Sequence, residues 1–528
     1  MIRWFCLFIS LLFLSYTAPG IRAKYARLDP KHPSKNLAFY ELYPHTYEGE
    51  KALNRAWGLM AESACRRELS ESLSSRTFLK ALHQDQETQQ LFSTEELDFM
   101  EELGASLENR TLPGYLVWDL SKMRTFPPNK IDLARLVFLA EGYTKEAIRN
   151  YEALIDWMAL QVRAQLPKNP SPQEKIYAIN ELIFHDIGFR FPANSAWEKD
   201  IDTYTALPSV IDSKRGVCLG VSILYLCIAQ RIGLSLEAVT PPGHIYLRYR
   251  ENGVDPINIE TTARGIDVPC SHYKGLELEH LETKNLLEVV GLIFVNRASV
   301  QWQKKEHTQA VALYEKARLY LPQSPLVLDL LGYNHLFLGN IQEAKRCLKE
   351  AVSMRKEQKL SPNLISEDYM NGKASIEGIE AIFAPVDNTR DAILAKRECL
   401  KDILATHPHF QAGLLQYAHT YLQMGREKEA IAPLEELARI GYNPLTAHYY
   451  LAMIHRNRYN YKKSWDAFYS LVFALKRRDT VPKLVKEMER SLRELSPPPL
   501  PNEPTEEEKG DVFSILSHVL IDLDGLCL

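Results

Sequence analysis

A spacing of 34 residues organises the second half of this 528-residue chain. Ala298, Ala310, Tyr314 and Ala317 return as Gly332, Ala344, Leu348 and Ala351, each matched residue 34 positions further on. Ala418, Gly425, Ala430 and Leu434 return as Ala452, Tyr459, Ser464 and Phe468 at the same interval. One globular core does not generate a fixed period of this kind. It belongs to a helix pair that buries its apolar face only by stacking on its neighbours. Small residues at the matched points let paired helices approach closely. Four such units fit over 286–355 and 411–496, with their aromatic residues as core. The two sets are out of phase, so 356–410 holds an insertion or one degenerate unit. Residues 497–528 begin Pro497-Pro-Pro-Leu-Pro and read as a Pro/Glu-rich linker with an apolar tail, Val512–Leu528.

The remainder of the chain is long enough for further domains. Lysine and arginine total 63 against 67 acidic residues, a net charge of −4. A nucleic-acid partner would require a concentrated basic excess, and none is present. No internal stretch reaches the roughly 20 apolar residues of a spanning helix. The N-terminus is different. Arg3 precedes the apolar run Trp4–Leu14, and Ala18-Pro-Gly20 follows, so 1–23 reads as a secretory signal cleaved near Gly20 or Ala23. Cleavage leaves Cys65, Cys218, Cys227, Cys270, Cys347, Cys399 and Cys527, an odd and scattered set with no CxxC pair. That is neither a disulfide framework nor a zinc spacing. Most of these read as small buried hydrophobes, and a thiol kept for chemistry is the one to seek.

Residues 24–126 are helical in pattern and of unassigned role. Asn109-Arg-Thr is a glycosylation sequon in a surface loop. Phe126-Pro-Pro-Asn129 marks a boundary. From Ile131 two long helical patterns follow, separated by Leu166–Pro172. Then Lys214-Arg-Gly-Val-Cys218 leads into an apolar helix, Leu219–Arg231, stopped by Gly233. Short extended segments follow at Leu236–Thr240, His244–Arg250 and Val254–Thr261. Helices first and a small antiparallel sheet later make an α+β unit over 127–285.

That unit concentrates the chemistry. Cys218 opens a helix behind Arg215, so its thiol meets the positive end of the helix dipole and a nearby cation, both of which favour the thiolate. His244 follows Pro241-Pro-Gly and starts a strand. With Glu251-Asn-Gly253 as the hairpin loop, His244 lies directly opposite Glu260 on one face, and Asp255 opposes Tyr249 on the other. The parity prefers Glu260 to Asp255 as the acid that orients the imidazole, although Pro256 admits a bulge that would shift the register. Histidine takes the thiol proton, the carboxylate fixes its tautomer, and the thiolate attacks a carbonyl. The Cys218 N–H is the natural oxyanion donor, with Asn194 and Tyr204 as candidates for a second. His185 reads as a packing or capping residue, and Cys227 as core on the far side of the helix. Cys270, His272 and His280 are too scattered for a metal site.

Two resemblances follow from these residues. The 34-residue pattern resembles tetratricopeptide repeats. Phe184-His-Asp-Ile-Gly-Phe-Arg190, Leu207–Cys218, Ser222–Leu226, Pro242-Gly-His244 and Ile259-Glu260 resemble the transglutaminase-like, papain-type superfamily, in the bacterial branch that joins this core to such repeats. The resemblance implies Cys218 as nucleophile, His244 as base and Glu260 as acid, where the family usually has aspartate. It implies no metal or organic cofactor. The expectation is an exported, thiol-dependent amide hydrolase or transamidase acting on a peptide-type substrate, with a protein or peptide segment in the repeat groove. The alternative is a catalytically silent scaffold that only binds protein.

Overall fold

The computed structural model describes residues 20–60, 92–192, 200–273, 276, 281–386, 389–441, 444–476 and 481–499. The signal run, Cys65, Asn194, His280 and the C-terminal tail lie outside these residues. The chain is mostly helical, with one small antiparallel sheet in the 237–284 region and stacked helix pairs after it. It divides into two compact units. One comprises 1–268, 282–305 and 312–322, and the other 269–281, 306–311 and 323–528.

In the first unit, local sequence sets each helix boundary. Asp132 caps Leu133–Glu141, and Gly142 ends it at φ 83°. Thr144 caps the long helix Lys145–Gln165. Ser171 and Glu174 form a capping box at the start of Pro172–Asn180. That helix runs on through a π-turn, Glu181–Ile187, to Gly188. The Cys218–Arg231 helix is buried along almost its whole length, as its unbroken apolar sequence requires. The sheet consists of β1 (Glu237–Thr240), β2 (Tyr246–Tyr249), β3 (Ile257–Ile259) and β4 (Glu282–Lys284), in the order β3-β2-β1-β4.

The sheet corrects two expectations. β2 and β3 pair Leu247 with Ile259, Arg248 with Asn258 and Tyr249 with Ile257, so the connecting loop is Arg250–Pro256 rather than three residues. Pro256 has no N–H for the ladder and stays outside it. The shift is by two residues, which preserves the face of every side chain. His244 and Glu260 both lie just beyond the strand ends, and Asp255 is in the loop. Asn109 is also not a surface sequon. It is fully buried, and its Nδ2 donates to Asp132 Oδ2 at 2.7 Å.

The second unit contains the helix pairs Pro325–Phe337 with Ile341–Glu357, Gln411–Leu422 with Glu427–Ile440, and Leu445–Asn457 with Tyr461–Leu475. Lys483–Leu495 follows them. Ala344, Leu348, Ala351, Ala418, Ala430, Leu434, Ala452 and Ser464 are all fully buried. A Cβ on Gly332 would lie 2.5 Å from Leu348, which shows how closely the paired helices approach. The period also fixes the backbone. Lys305 and Gly339, and again Gly425 and Tyr459, are left-handed residues 34 apart at the turn between paired helices. Residues 356–410 form three helices, Leu364–Met370, Ile376–Phe383 and Arg390–Thr406. A buried polar cluster docks the first of them. Asp329 accepts from Ser366 at 2.6 Å, Asn363 at 2.8 Å and Arg355 at 2.6 Å.

Gly220 generates a stability prediction. A Cβ there would sit 2.4 Å from the Tyr204 carbonyl oxygen and 2.8 Å from Val210. An ordinary helix glycine gains about 1 kcal/mol on becoming alanine. Here the backbone must move, so Gly220→Ala should destabilise by about 1–3 kcal/mol. A lowered urea midpoint is expected; a raised one contradicts the close approach.

Candidate active site

Three elements converge on Cys218. The residue is the first of its helix, with Val217 as N-cap, and the Val217 N–H donates to Tyr204 O at 3.1 Å. The first N–H groups of a helix have no partner within it. Among the described residues no partner is found for the Cys218 N–H. His244 is placed by Pro241-Pro-Gly-His. Its N–H donates to Pro241 O at 3.0 Å, and Gly243 has φ 69°. This is a turn with proline at its second position and glycine where φ must be positive. Glu260 caps the 3-10 turn Thr261–Ala263.

The side chains form a chain of hydrogen bonds. His244 Nε2 lies 2.7 Å from Glu260 Oε2, and the imidazole also bonds the Cys218 side chain. A carboxylate can only accept, so Nε2 carries the hydrogen and Nδ1 is left for the thiol. Glu260 Oε1 accepts from the Thr262 N–H at 3.0 Å and from its hydroxyl at 2.5 Å. Glu260 is 5 % exposed, whereas the His244 side chain is 25 % exposed and open to a substrate. Burial on its own would lower the imidazole. The hydrogen bonds to Cys218 and Glu260, and their charges, outweigh it and push His244 up to about 10. Thr261, whose hydroxyl lies 3.1 Å from buried Ser222 and 3.5 Å from the Cys218 carbonyl, joins this turn to the helix.

Other expected roles fall differently. No contact of the Arg215 side chain with the thiol is found among the described residues. Arg215 is exposed, its backbone bridges Arg190, and the cation beside Cys218 is His244. The Tyr204 carbonyl accepts from the Val217 N–H, and the Tyr204 N–H donates to Asp200 O at 3.2 Å, so that N–H is engaged within its own loop. His185 is exposed and lies 3.9 Å from Glu181. Cys227 is fully buried, and burial raises its thiol far above the ordinary range. Thr262, the residue that grips Glu260, was missed; a hydroxyl two residues after a candidate acid is the signal that pointed to it.

Residues 149–274 match the model of the transglutaminase-like superfamily, and 327–358 match that of the tetratricopeptide repeat. The chain carries a transglutaminase-like domain. The superfamily includes cysteine-dependent enzymes. Among solved structures, the tetratricopeptide protein YrrB, described as having an unusual peptide-binding site, is 13% identical with TM-score 0.20, covering 38% of this chain and 92% of its own. The thermophilic tetratricopeptide protein TTC0263 of Thermus thermophilus is 18% identical with TM-score 0.21, covering 38% and 98%. The TPR2AB domain of yeast Sti1 is 12% identical with TM-score 0.21, covering 39% and 85%. No curated protein matches the chain.

The transglutaminase-like domain makes a testable titration claim. The folded imidazole binds its proton more tightly than the unfolded one, whose ordinary value is 6.5. Protonated His244 therefore contributes stability in full below 6.5, and that contribution is lost as pH rises through about 10. NMR of 15N-histidine should find His244 titrating far above the other rings, and lower in Glu260→Gln. A ring titrating near 6.5 in both proteins contradicts the hydrogen-bond chain.

Proposed function

We propose that this chain is an exported, thiol-dependent acyl-transfer enzyme whose repeat array binds a protein or peptide segment. The observation that carries the reading is the hydrogen-bonded sequence Cys218, His244, Glu260 at the only partly exposed start of a buried helix. With its imidazole pushed up to about 10, His244 already holds the thiol proton on Nδ1 at neutral pH, and the Cys218 thiolate attacks the carbonyl carbon of a peptide-type bond. The Cys218 N–H donates to the oxyanion of the tetrahedral intermediate. Collapse breaks the C–N bond, and His244 returns the proton to the leaving amine. A thioester remains. Water, deprotonated by His244, attacks it and releases the acid and the thiol; an amine in place of water gives transamidation. Glu260 keeps Nε2 protonated throughout and stabilises the imidazolium. The apolar run Trp4–Leu14 supports export, and stacked helix pairs support peptide capture by the repeats.

The test is the alkylation of Cys218 by iodoacetamide at pH 7, read by peptide mass spectrometry. A free cysteine is only a few per cent thiolate there. Wild type should react about tenfold or more faster than His244→Ala, with Glu260→Gln between them. Cys218→Ala should abolish hydrolysis while leaving the unfolding midpoint nearly unchanged. A Cys218 that reacts like a free thiol, with or without His244, sinks the catalytic reading and leaves a protein-binding scaffold.

A further inference from the structure

Beside Glu260 lies a cavity of about 220 Å³ that the reaction above does not use. Phe184, Phe189 and Phe191 make its apolar wall, Thr261 and Thr262 the side it shares with the active site, and Arg190 and Arg264 its charged groups. Among the described residues no carboxylate lines it. The described acids that neighbour its lining residues in sequence are engaged, Glu260 with His244 and Thr262. Asp186 pairs with His32 at 3.1 Å, Glu181 faces His185, and Asp267 accepts from the Asn258 N–H at 3.1 Å.

Among the described residues neither guanidinium is paired with a carboxylate, and that of Arg190 is anchored on backbone carbonyls. Arg190 Nη1 donates to the carbonyls of Phe184 at 2.5 Å and Phe189 at 2.7 Å. Among the described residues no hydrogen bond occupies its Nε or Nη2. Arg264 has no hydrogen bond or ion pair among the described residues. Its backbone is nonetheless fixed, in the left-handed region at φ 62°, where a side chain is strained. The Glu260 carbonyl accepts from the Ala263 N–H at 3.0 Å and the Gly265 N–H at 2.8 Å. Asn180, which accepts from the Tyr225 hydroxyl at 3.0 Å, donates to Gly265 O at 3.2 Å. The residue that orients His244 thus also sets the turn that carries Arg264.

We propose that this cavity is the specificity subsite of the acyl-transfer site and takes a carboxylate flanking the scissile bond, so that the substrate is an acidic peptide. The inference rests on the Cys218 reading above. Two like charges on an apolar wall repel each other and attract a bidentate planar anion, the geometry in which arginine binds best. A volume below the roughly 300 Å³ of small-molecule sites suits one residue-sized group. Proximity comes through shared residues: Val221, on the wall, is one helical turn from Cys218, and Thr262 grips Glu260. The carboxylate belongs either to an acidic side chain or to a chain end.

Three alkylating probes separate these sources: iodoacetyl-glutamate amide, iodoacetyl-glutamine amide, and iodoacetyl-glutamine with a free α-carboxylate. In each reaction the Cys218 sulfur displaces iodide and forms a thioether. In wild type at low salt one acidic probe should react about tenfold faster than the neutral one. That ratio, taken within each protein, should fall toward one in Arg264→Gln and in Arg190→Gln/Arg264→Gln. Arg264→Gln alone carries the test if the double variant does not fold, because Arg264 is exposed and has no partner among the described residues. Acidic probes no faster than neutral in wild type, or a preference that survives the variants, overturn the subsite. If Cys218 proves inert to iodoacetamide, the catalytic reading fails on its own. Calorimetry of acetyl-glutamate amide against acetyl-glutamine amide on Cys218→Ala then decides the cavity, which stands only if an Arg264-dependent carboxylate preference is found.

Discussion

The fixed point of the first unit is the pairing of Arg231 with Asp156 at the far end of the helix that begins with Cys218. Arg231 is fully buried, and its Nε donates to Asp156 Oδ1 at 2.5 Å. The other oxygen of Asp156 accepts from Arg110. Alongside, Arg135 binds Glu152 through two bonds of 2.6 Å, stacks on Trp118 at 3.6 Å and donates to Tyr115 O. Asp132 completes a set of three cations and three carboxylates. Removing one partner of a buried pair costs about 3–5 kcal/mol, because it strands the other charge. Close packing at Gly220 fixes the start of this helix, and a directional ion pair fixes its end. A helix ending in Arg231 has one register, and that register sets the position of the thiol at its opposite end. The burial that raises Glu152 to about 7 is the cost of the arrangement. Arg110 and Tyr115 show that the segment before Pro127 takes part in it.

The sequence was legible where a local rule and the tertiary structure agree. The repeat period predicted the helix pairs, because each matched alanine fills the same interhelical gap. Lys305 and Tyr459 hold left-handed turns that glycine holds one period away, so position in the repeat overrides residue type. Pro241-Pro-Gly-His determined its own turn. The reading departed from the structure where a partner distant in sequence decides. Asn109 has the motif of a surface loop, but Asp132 draws it into the core. Arg215 precedes the thiol in sequence, yet its chain runs beside Arg190. The first helix of 356–410 docks through Asp329, a buried acid that no periodicity marks.

The register of the hairpin and the identity of the acid are connected. Extending the observed pairing sets His244 level with Thr262 rather than Glu260. The acid must therefore reach across from a neighbouring position on the same face. It also has a second task, because Glu260 caps the turn that follows β3. One oxygen takes the two Thr262 donors and the other takes the imidazole at 2.7 Å. An aspartate, the residue usual in the family this domain resembles, would cap as well but stop about 1.5 Å shorter. With the imidazole held by the Pro241–His244 turn and the carboxylate by Thr262, neither group is free to close that gap. The longer acid matches the shifted register: the change at one position is intelligible only through the backbone at the other.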